Sequence, residues 1–163
     1  MSYAIWNPRA FAHLCDFVAW EQVFLKDERI EAEARRGALV PVYLHADGGA
    51  LFEVRVASGA KAATVSPEER AWTVKASQPY LFQSDGALAI SGIEQVNGTA
   101  ASDVKTLPLP RGRWSVSVRM LEPPRDPSGK HNAVPNLLVV MNPESQPAPV
   151  YRSSIETFGG DAR

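Results

Sequence analysis

Leu107-Pro-Leu-Pro-Arg-Gly-Arg-Trp-Ser-Val-Ser-Val-Arg-Met120 has the clearest secondary-structure pattern in this chain. From Trp114 to Met120, apolar residues occupy every second position, and Ser or Arg fills the positions between them. Strict alternation of this kind predicts an antiparallel strand with one face in a core and the other in water. Pro108 and Pro110 cannot donate ladder hydrogen bonds, so they belong at the strand entry or on a sheet edge. The stretch therefore predicts a mainly β domain.

Several other segments have the composition of short strands. The signals are β-branched and aromatic residues, period-two alternation and flanking turn residues. Two turn sequences, Asp47-Gly48-Gly49 and Ser84-Asp85-Gly86, predict hairpins between neighbouring strands. We expect Trp72 and Val74 to face inward, and both Trp72 and Trp114 to lie in the core. The predicted strands cover residues 38–44, 51–56, 71–76, 79–82, 87–90 and 136–141.

The first 36 residues have helical rather than strand-like spacing. Asn7-Pro8 joins a favourable N-cap to a proline at the first helical position, which predicts a helix from about residue 8 to 20. Cys15 and Val18 share its apolar face, so Cys15 is expected to be a small core residue. Asp27 can cap a second helix over residues 28–36, with Gly37 at the C′ position.

These elements predict a single α+β domain over residues 1–163 that is mainly β. Its architecture is an antiparallel β-sandwich or partly open barrel of about six or seven strands, with one or two N-terminal helices over an open side. The helical N-terminus spans about residues 7–36 and the β body about 38–142. A tail containing Pro and Gly follows at about 143–163.

Composition narrows the classes of function. The 163 residues carry a net charge of −1, which gives no electrostatic case for nucleic acid. The longest apolar runs fall short of the roughly 20 residues of a membrane helix, and the first residues do not resemble a secretory signal. A single cysteine fits a reducing compartment. We therefore expect a cytoplasmic protein that binds neither nucleic acid nor membrane.

We find no catalytic motif in the sequence and expect no enzyme activity and no cofactor. Cys15 and the three histidines are scattered, whereas a structural zinc site needs four nitrogen or sulfur ligands, so no metal site is expected. One alternative remains open. His45, Asp47 and His131 could meet in a loop-lined mouth and serve a small-molecule-binding or hydrolytic domain.

Charge is distributed unevenly along the chain. Residues 16–33 hold six acidic side chains against two basic ones, and residues 105–130 hold six basic against two acidic. The two stretches either face each other in the fold or form separate docking patches that steer a charged partner. The predicted partner-binding residues are Glu28, Glu31, Glu33, Arg111, Arg113 and Arg125.

Three segments carry a resemblance to a known group of proteins: Trp72-Thr-Val-Lys-Ala, Asp85-Gly-Ala-Leu-Ala-Ile-Ser-Gly-Ile-Glu94 and Leu107 to Val118. Their order resembles the ComJ-like competence nuclease inhibitors and related bacterial immunity-type β-sandwich proteins of mostly unknown function. The resemblance covers about residues 38–120. It implies a small bacterial cytosolic protein that binds another protein and performs no chemistry of its own.

Three hypotheses of function follow. The first is a non-catalytic protein-binding module, such as an immunity protein or inhibitor that neutralises a toxin or nuclease. The second is the small-molecule-binding or hydrolytic domain described above. The third is a self-assembling structural subunit, for which Leu39, Tyr43 and the strand at 137–141 are the places to look for sheet-edge pairing between copies.

Overall fold

A computed structural model describes residues 1–45, 49–98, 104–124, 127–128 and 136–159. Its helices and strands are named here in their order along the chain. The elements are β1 (Ser2–Trp6), a 3₁₀ helix (Pro8–Phe11), α1 (Phe17–Phe24), α2 (Asp27–Arg35), β2 (Leu39–Leu44), β3 (Phe52–Val56), α3 (Pro67–Trp72), β4 (Thr73–Ala76), β5 (Tyr80–Ser84), β6 (Ala87–Gly92), a second 3₁₀ helix (Ile93–Gln95), β7 (Lys105–Pro108), β8 (Gly112–Leu121), β9 (Leu137–Pro143) and β10 (Glu156–Phe158).

The strands form two sheets that pack face to face. The first has the order β10-β2-β1-β6-β7, and the second has the order β3-β9-β8-β4, with β5 also paired to β8. Apolar side chains from both sheets meet in one core, among them Ile5 and Leu88 from the first and Val116 and Val139 from the second. The prediction of a mainly β, α+β fold with N-terminal helices is therefore confirmed.

Two details of that prediction are wrong. The described residues contain ten strands rather than six or seven, because the short β1, β7 and β10 lie in segments that the sequence assigned to other structure. The sheets are also mixed rather than antiparallel, since β10 pairs with β2 and β3 pairs with β9 in parallel. Both parallel pairs join strands far apart in the chain, which local sequence patterns do not reveal.

The two predicted hairpins are absent. The segment at 47–49 follows β2 of the first sheet and precedes β3 of the second, and Asp47 and Gly48 themselves lie outside the described residues. The turn at 84–86 likewise leads from β5 in the second sheet to β6 in the first. A turn sequence fixes a change of direction but does not decide which strands then pair.

The N-terminal helices differ from their predicted boundaries. Asn7 does cap a helix, as its side chain accepts a hydrogen bond from the Arg9 N–H at 3.0 Å, but this helix is a single 3₁₀ turn. A separate helix, α1, begins at Phe17 with Asp16 as its N-cap. The second helix is close to the prediction, and Gly37 after it takes a φ of 78°.

The two tryptophans expected in the core have different environments. Trp114 is 5% exposed in the central cluster, as its alternating strand predicts. Trp72 is only half-buried and Val74 is 54% exposed, so their predicted inward orientation is wrong. The reason is a helix that the sequence did not predict, since α3, with a capping box between Ser66 and Glu69, occupies the chain up to Trp72.

The segment predicted as a tail contributes to the core. Phe158 on β10 is 1% exposed and belongs to the central cluster. Glu156 beside it is nearly buried and forms ion pairs with Lys75 at 3.0 Å and Arg152 at 2.9 Å. The strand β10 therefore closes one side of the sandwich, next to β2.

Candidate functional site

The first turn and the end of α1 expose large apolar side chains. Phe17 is 67% exposed, Val18 is 63% exposed and Leu25, which caps the helix, is 64% exposed. Helical spacing places Glu21 and Gln22 between them, because residues four apart are neighbours on a helix surface. We call the patch formed by these five residues the α1 face.

Other side chains of α1 hold the helix on the protein. Phe24 is buried, and its ring lies 5.7 Å from the ring centroid of Phe11 and 5.5 Å from that of Trp20. The indole N–H of Trp20 donates to the carbonyl of Ile93 at 3.1 Å. The Asp16 side chain accepts from the Ala19 N–H at 2.8 Å and so caps the helix. These contacts fix the α1 face in position.

Two shallow depressions border the α1 face. One, of about 240 Å³, lies beside the stacked rings of Phe17 and Trp20, whose centroids are 5.8 Å apart. The other, of about 290 Å³, lies beside Val18 and Leu25. Both depressions are concave, so side chains of a partner can pack into them.

Charged groups of both signs lie beside this patch, since Glu21, Lys26 and Arg29 line one depression and Asp16 and Glu94 line the other. Between residues 16 and 29, four acidic side chains stand against Lys26 and Arg29. Burial raises the pKa of the Tyr43 phenol, and the negative charge of Asp27 at the start of α2 raises it further. The acidic residues are Asp16, Glu21, Asp27 and Glu28.

The three glutamates predicted as partner-binding residues have different roles in the fold. Glu28 is exposed near the start of α2. Glu31 accepts a hydrogen bond from the Ile155 N–H at 3.2 Å and so helps to hold the C-terminal segment. Glu33 forms an ion pair with Arg36 on the same helix. Of the three, Glu28 is the one best placed for a partner.

Among the described residues, the predicted basic residues form no ion pair with the three glutamates. Arg111 is exposed, and Arg125 lies outside the described residues. Arg113 pairs with Glu144 through hydrogen bonds of 3.0 and 3.1 Å, which lower the pKa of that carboxyl. Burial and the hydrogen bond that its hydroxyl donates to Glu144 raise the pKa of Tyr151 to about 12. Within the described part of the chain, these ion pairs do not join the acidic stretch to the basic one.

The residues of the hydrolytic alternative cannot be placed together. His45 is exposed at the end of β2, and its backbone N–H donates to the Phe158 carbonyl at 2.9 Å. Asp47 and His131 lie outside the described residues. Cys15 is exposed rather than buried, because it lies between the 3₁₀ helix and α1 instead of on one continuous helix. Among the described residues, no group of three or more His, Cys, Asp or Glu side chains is placed to hold a metal ion.

The strand edges expected for self-assembly are already paired. β9, at 137–143, lies between β3 and β8. β2 lies between β10 and β1, and its Leu39 is fully buried while Tyr43 is half-buried. These strands therefore offer little edge for pairing between copies.

One feature of the sequence indicates the α1 face, namely the number of apolar residues in α1 rather than their spacing. Seven of the nine residues from Phe17 to Leu25 are apolar, whereas a helix on a protein surface can bury only one side. Such a helix must expose apolar side chains unless a second layer covers it. Counting the apolar residues on both sides of the helix would have indicated this patch.

The fold and this site define a two-sheet α+β protein with an exposed apolar helix face. The chain matches no protein-family model, no curated protein and no solved structure. The resemblance to nuclease inhibitors and immunity-type proteins therefore stays a prediction. Within the described ranges, the helices are too short or too polar to cross a membrane.

Proposed function

We propose that this protein is a non-catalytic binding module that docks on another protein through the α1 face. In the more specific form of the proposal, it is a bacterial immunity protein or inhibitor that neutralises a toxin or nuclease. The observation that carries the proposal is the exposure of Phe17, Val18 and Leu25, each more than 60% exposed on one short helix.

Exposed apolar side chains in one patch are unfavourable in water and are typical of interaction surfaces. Protein interfaces are enriched in aromatic residues, and a few well-packed anchors account for most of the binding free energy. Phe17 stacks on Trp20, which is itself hydrogen-bonded to the body of the protein. The aromatic anchor is therefore held in place before a partner binds, which lowers the entropic cost of association.

The charges around the α1 face favour a partner with basic residues at the rim of its own apolar surface. Glu21 lies within the patch, and Glu28 is exposed in the first turn of α2, the next helix along the chain. Complementary charges of this kind increase the association rate and favour the correct partner more than they increase affinity. A nuclease is one class of partner with such a surface, because it must bind polyanionic nucleic acid.

The proposal predicts that Phe17→Glu combined with Leu25→Glu abolishes partner binding. Each substitution introduces a charge where the partner's apolar surface would have to lose water, and two anchors lost together are expected to weaken binding by at least about a hundredfold. The measurement is affinity capture from cells of the source organism with the parent and the variant, followed by mass spectrometry and titration of the captured protein. Val150→Glu is the matched control, because Val150 is 90% exposed and lines neither depression beside the α1 face.

A partner retained by the parent and by Val150→Glu but lost by the double variant supports the α1 face. Inhibition of that partner's own toxic or nuclease activity supports the more specific proposal. Equal capture by all three proteins contradicts docking through α1. Dimers of this chain that the double variant dissociates contradict a different protein as the partner and favour self-association.

Charge reversal is expected to act mainly on the rate of association. Replacing Glu21 and Glu28 with lysine changes the local charge by four units, and we expect association to slow about tenfold or more at low salt and only slightly at high salt. Stopped-flow or surface-plasmon measurements at two ionic strengths test this. Lys substitutions at Glu31 and Glu33 are avoided because both side chains support the fold. Association rates that match the parent at low salt would exclude electrostatic steering by these residues.

A further inference from the structure

A second concave site lies between the two sheets, away from the α1 face. The sandwich opens where β3, the edge strand of the second sheet, lies opposite β6 and β7 at the edge of the first. The cleft has a volume of about 570 Å³. This is within the range of roughly 300–1,000 Å³ that is typical of small-molecule pockets.

The walls of the cleft are apolar side chains that the core leaves incompletely covered. Deeper inner-face residues such as Ile5 and Val139 are fully buried, whereas those along the cleft are only partly buried. At one end, the rings of Tyr3 and Phe52 meet edge to face with centroids 5.3 Å apart. The apolar side chains that line the cleft are Tyr3, Ala50, Phe52, Val54, Ile90 and Leu107.

The mouth of the cleft carries one cation whose charge is not balanced within the described residues. Lys105 is two positions before Leu107 on β7, so both side chains point to the same, inner face of the first sheet. Lys105 is exposed, and no ion pair links it to the described part of the chain. The nearby Glu53 is already paired with Arg55, whose Nε lies 2.7 Å from its Oε1. An anion at the mouth would therefore meet an ammonium group that has no ion-pair partner among the described residues.

We propose that this cleft binds a small amphipathic ligand with an unbranched hydrocarbon chain and a terminal carboxylate, that is, a medium- or long-chain carboxylic acid. The chain lies between the sheets, against Phe52, Val54, Ile90 and Leu107, and is removed from water there. The carboxylate pairs with the Lys105 ammonium at the mouth. Gln95, half-buried at the rim, is within the same lining and can donate a further hydrogen bond. The size of the cleft suits such a ligand, whereas a stable protein partner covers a far larger surface.

Decanoate is a suitable probe, with decan-1-ol as its uncharged match. Calorimetric titration of the full chain with decanoate is expected to give saturable binding. Decan-1-ol is expected to bind about threefold to tenfold more weakly, because an ion pair at an exposed mouth adds only modestly to the binding free energy. Lys105→Gln is expected to weaken decanoate binding by the same factor and to leave decan-1-ol binding unchanged. Lys61→Gln is the matched control, since Lys61 is exposed in the loop before α3 and does not line the cleft.

The methyl groups of the parent protein provide a second measurement that requires no substitution in the walls. Decanoate should shift the methyl resonances of Val54, Ile90 and Leu107 and leave those of Val18 and Val150 unchanged. Val54→Trp, which fills the cleft, should abolish binding of both probes without lowering the melting temperature. If that variant does not fold, the methyl shifts still decide where the probe lies.

Three results would overturn the proposal. They are the absence of saturable decanoate binding, shifts confined to residues outside the cleft, and equal affinity of decanoate and decan-1-ol in both the parent and Lys105→Gln. None of them affects the docking proposal, because the cleft and the α1 face share no residue. Loss of protein capture by the α1 variants, in turn, leaves decanoate binding unchanged.

Discussion

Trp114→Ala is expected to lower the free energy of unfolding by about 3–5 kcal/mol, the usual cost of truncating a buried tryptophan. Trp114 is 5% exposed and lies on β8, opposite Phe82 of β5 and Pro143 of β9. Its indole N–H donates to the Pro110 carbonyl at 2.9 Å. Truncation would leave a cavity in the core beside β8 and remove that hydrogen bond. Since a domain of this kind is stable by only about 5–15 kcal/mol, the loss is a large fraction of the total.

Trp72→Ala is the matched comparison, because it removes the same side chain from a half-buried position. We expect it to cost less than half as much, since the residue is only partly removed from water in the folded protein. Urea denaturation, monitored by far-ultraviolet circular dichroism, gives the free energy of unfolding of both variants. The two free energies are comparable if the variants have similar m-values. If Trp114→Ala is unfolded without urea, Trp114→Phe gives a graded value. Equal costs at the two positions would contradict the assignment of Trp114 to the core and Trp72 to its margin.

The two tryptophans show which parts of the fold the sequence could predict. Alternation from Trp114 to Met120 is a local pattern that depends only on one buried face, and Trp114, Val116 and Val118 are all buried. Trp72 has a similar alternation after it, but the capping box at Ser66 places it at the end of a helix. Where two local patterns overlap, packing decides between them. The Ser66-x-x-Glu69 spacing is itself a helix-start signal in the sequence, so the prediction gave too much weight to the alternation that follows it.

Sheet topology was beyond prediction for a different reason. The chain crosses between the sheets at residues 45–51 and again at 84–87, although both segments have turn sequences typical of hairpins. Pairing depends on contacts between residues far apart in the chain, as in the parallel pair of Phe52 with Leu137. Turn chemistry constrains only the few residues of the turn.

The candidate site was predicted in part. The acidic stretch at 16–33 does contain the elements next to the α1 face, and Glu28 is exposed there. The apolar anchors were missed because Val18 had been assigned to the buried side of one continuous helix. The break between Phe11 and Phe17 changes the phase of that helix, so Val18 faces water and Phe24 faces the core. An error of about two residues in helix phase, roughly half a turn, is enough to exchange the buried and exposed sides.

Phe158→Ala is the second substitution with a large expected effect, again about 3–5 kcal/mol of unfolding free energy. The chain after Pro143 has the composition of a tail, yet Phe158 is 1% exposed and packs with residues of both sheets. Its carbonyl accepts from the His45 N–H at 2.9 Å, and Glu156 is held by Lys75 and Arg152. Truncation would open the core at its β10 side and weaken the anchor of this strand.

The Phe158 prediction distinguishes a structural strand from a segment that detaches by itself. Val150→Ala is the control, because Val150 is 90% exposed on the same segment and should cost less than about 0.5 kcal/mol. Urea denaturation gives the global loss, and amide exchange at His45 reports whether β10 separates from β2 before the rest unfolds. A loss below about 1 kcal/mol with faster exchange at His45 alone would contradict the prediction and would mean that β10 detaches locally. A large global loss would instead mean that β10 unfolds together with the rest of the protein. The reason is that the Phe158 ring fills part of the closely packed core.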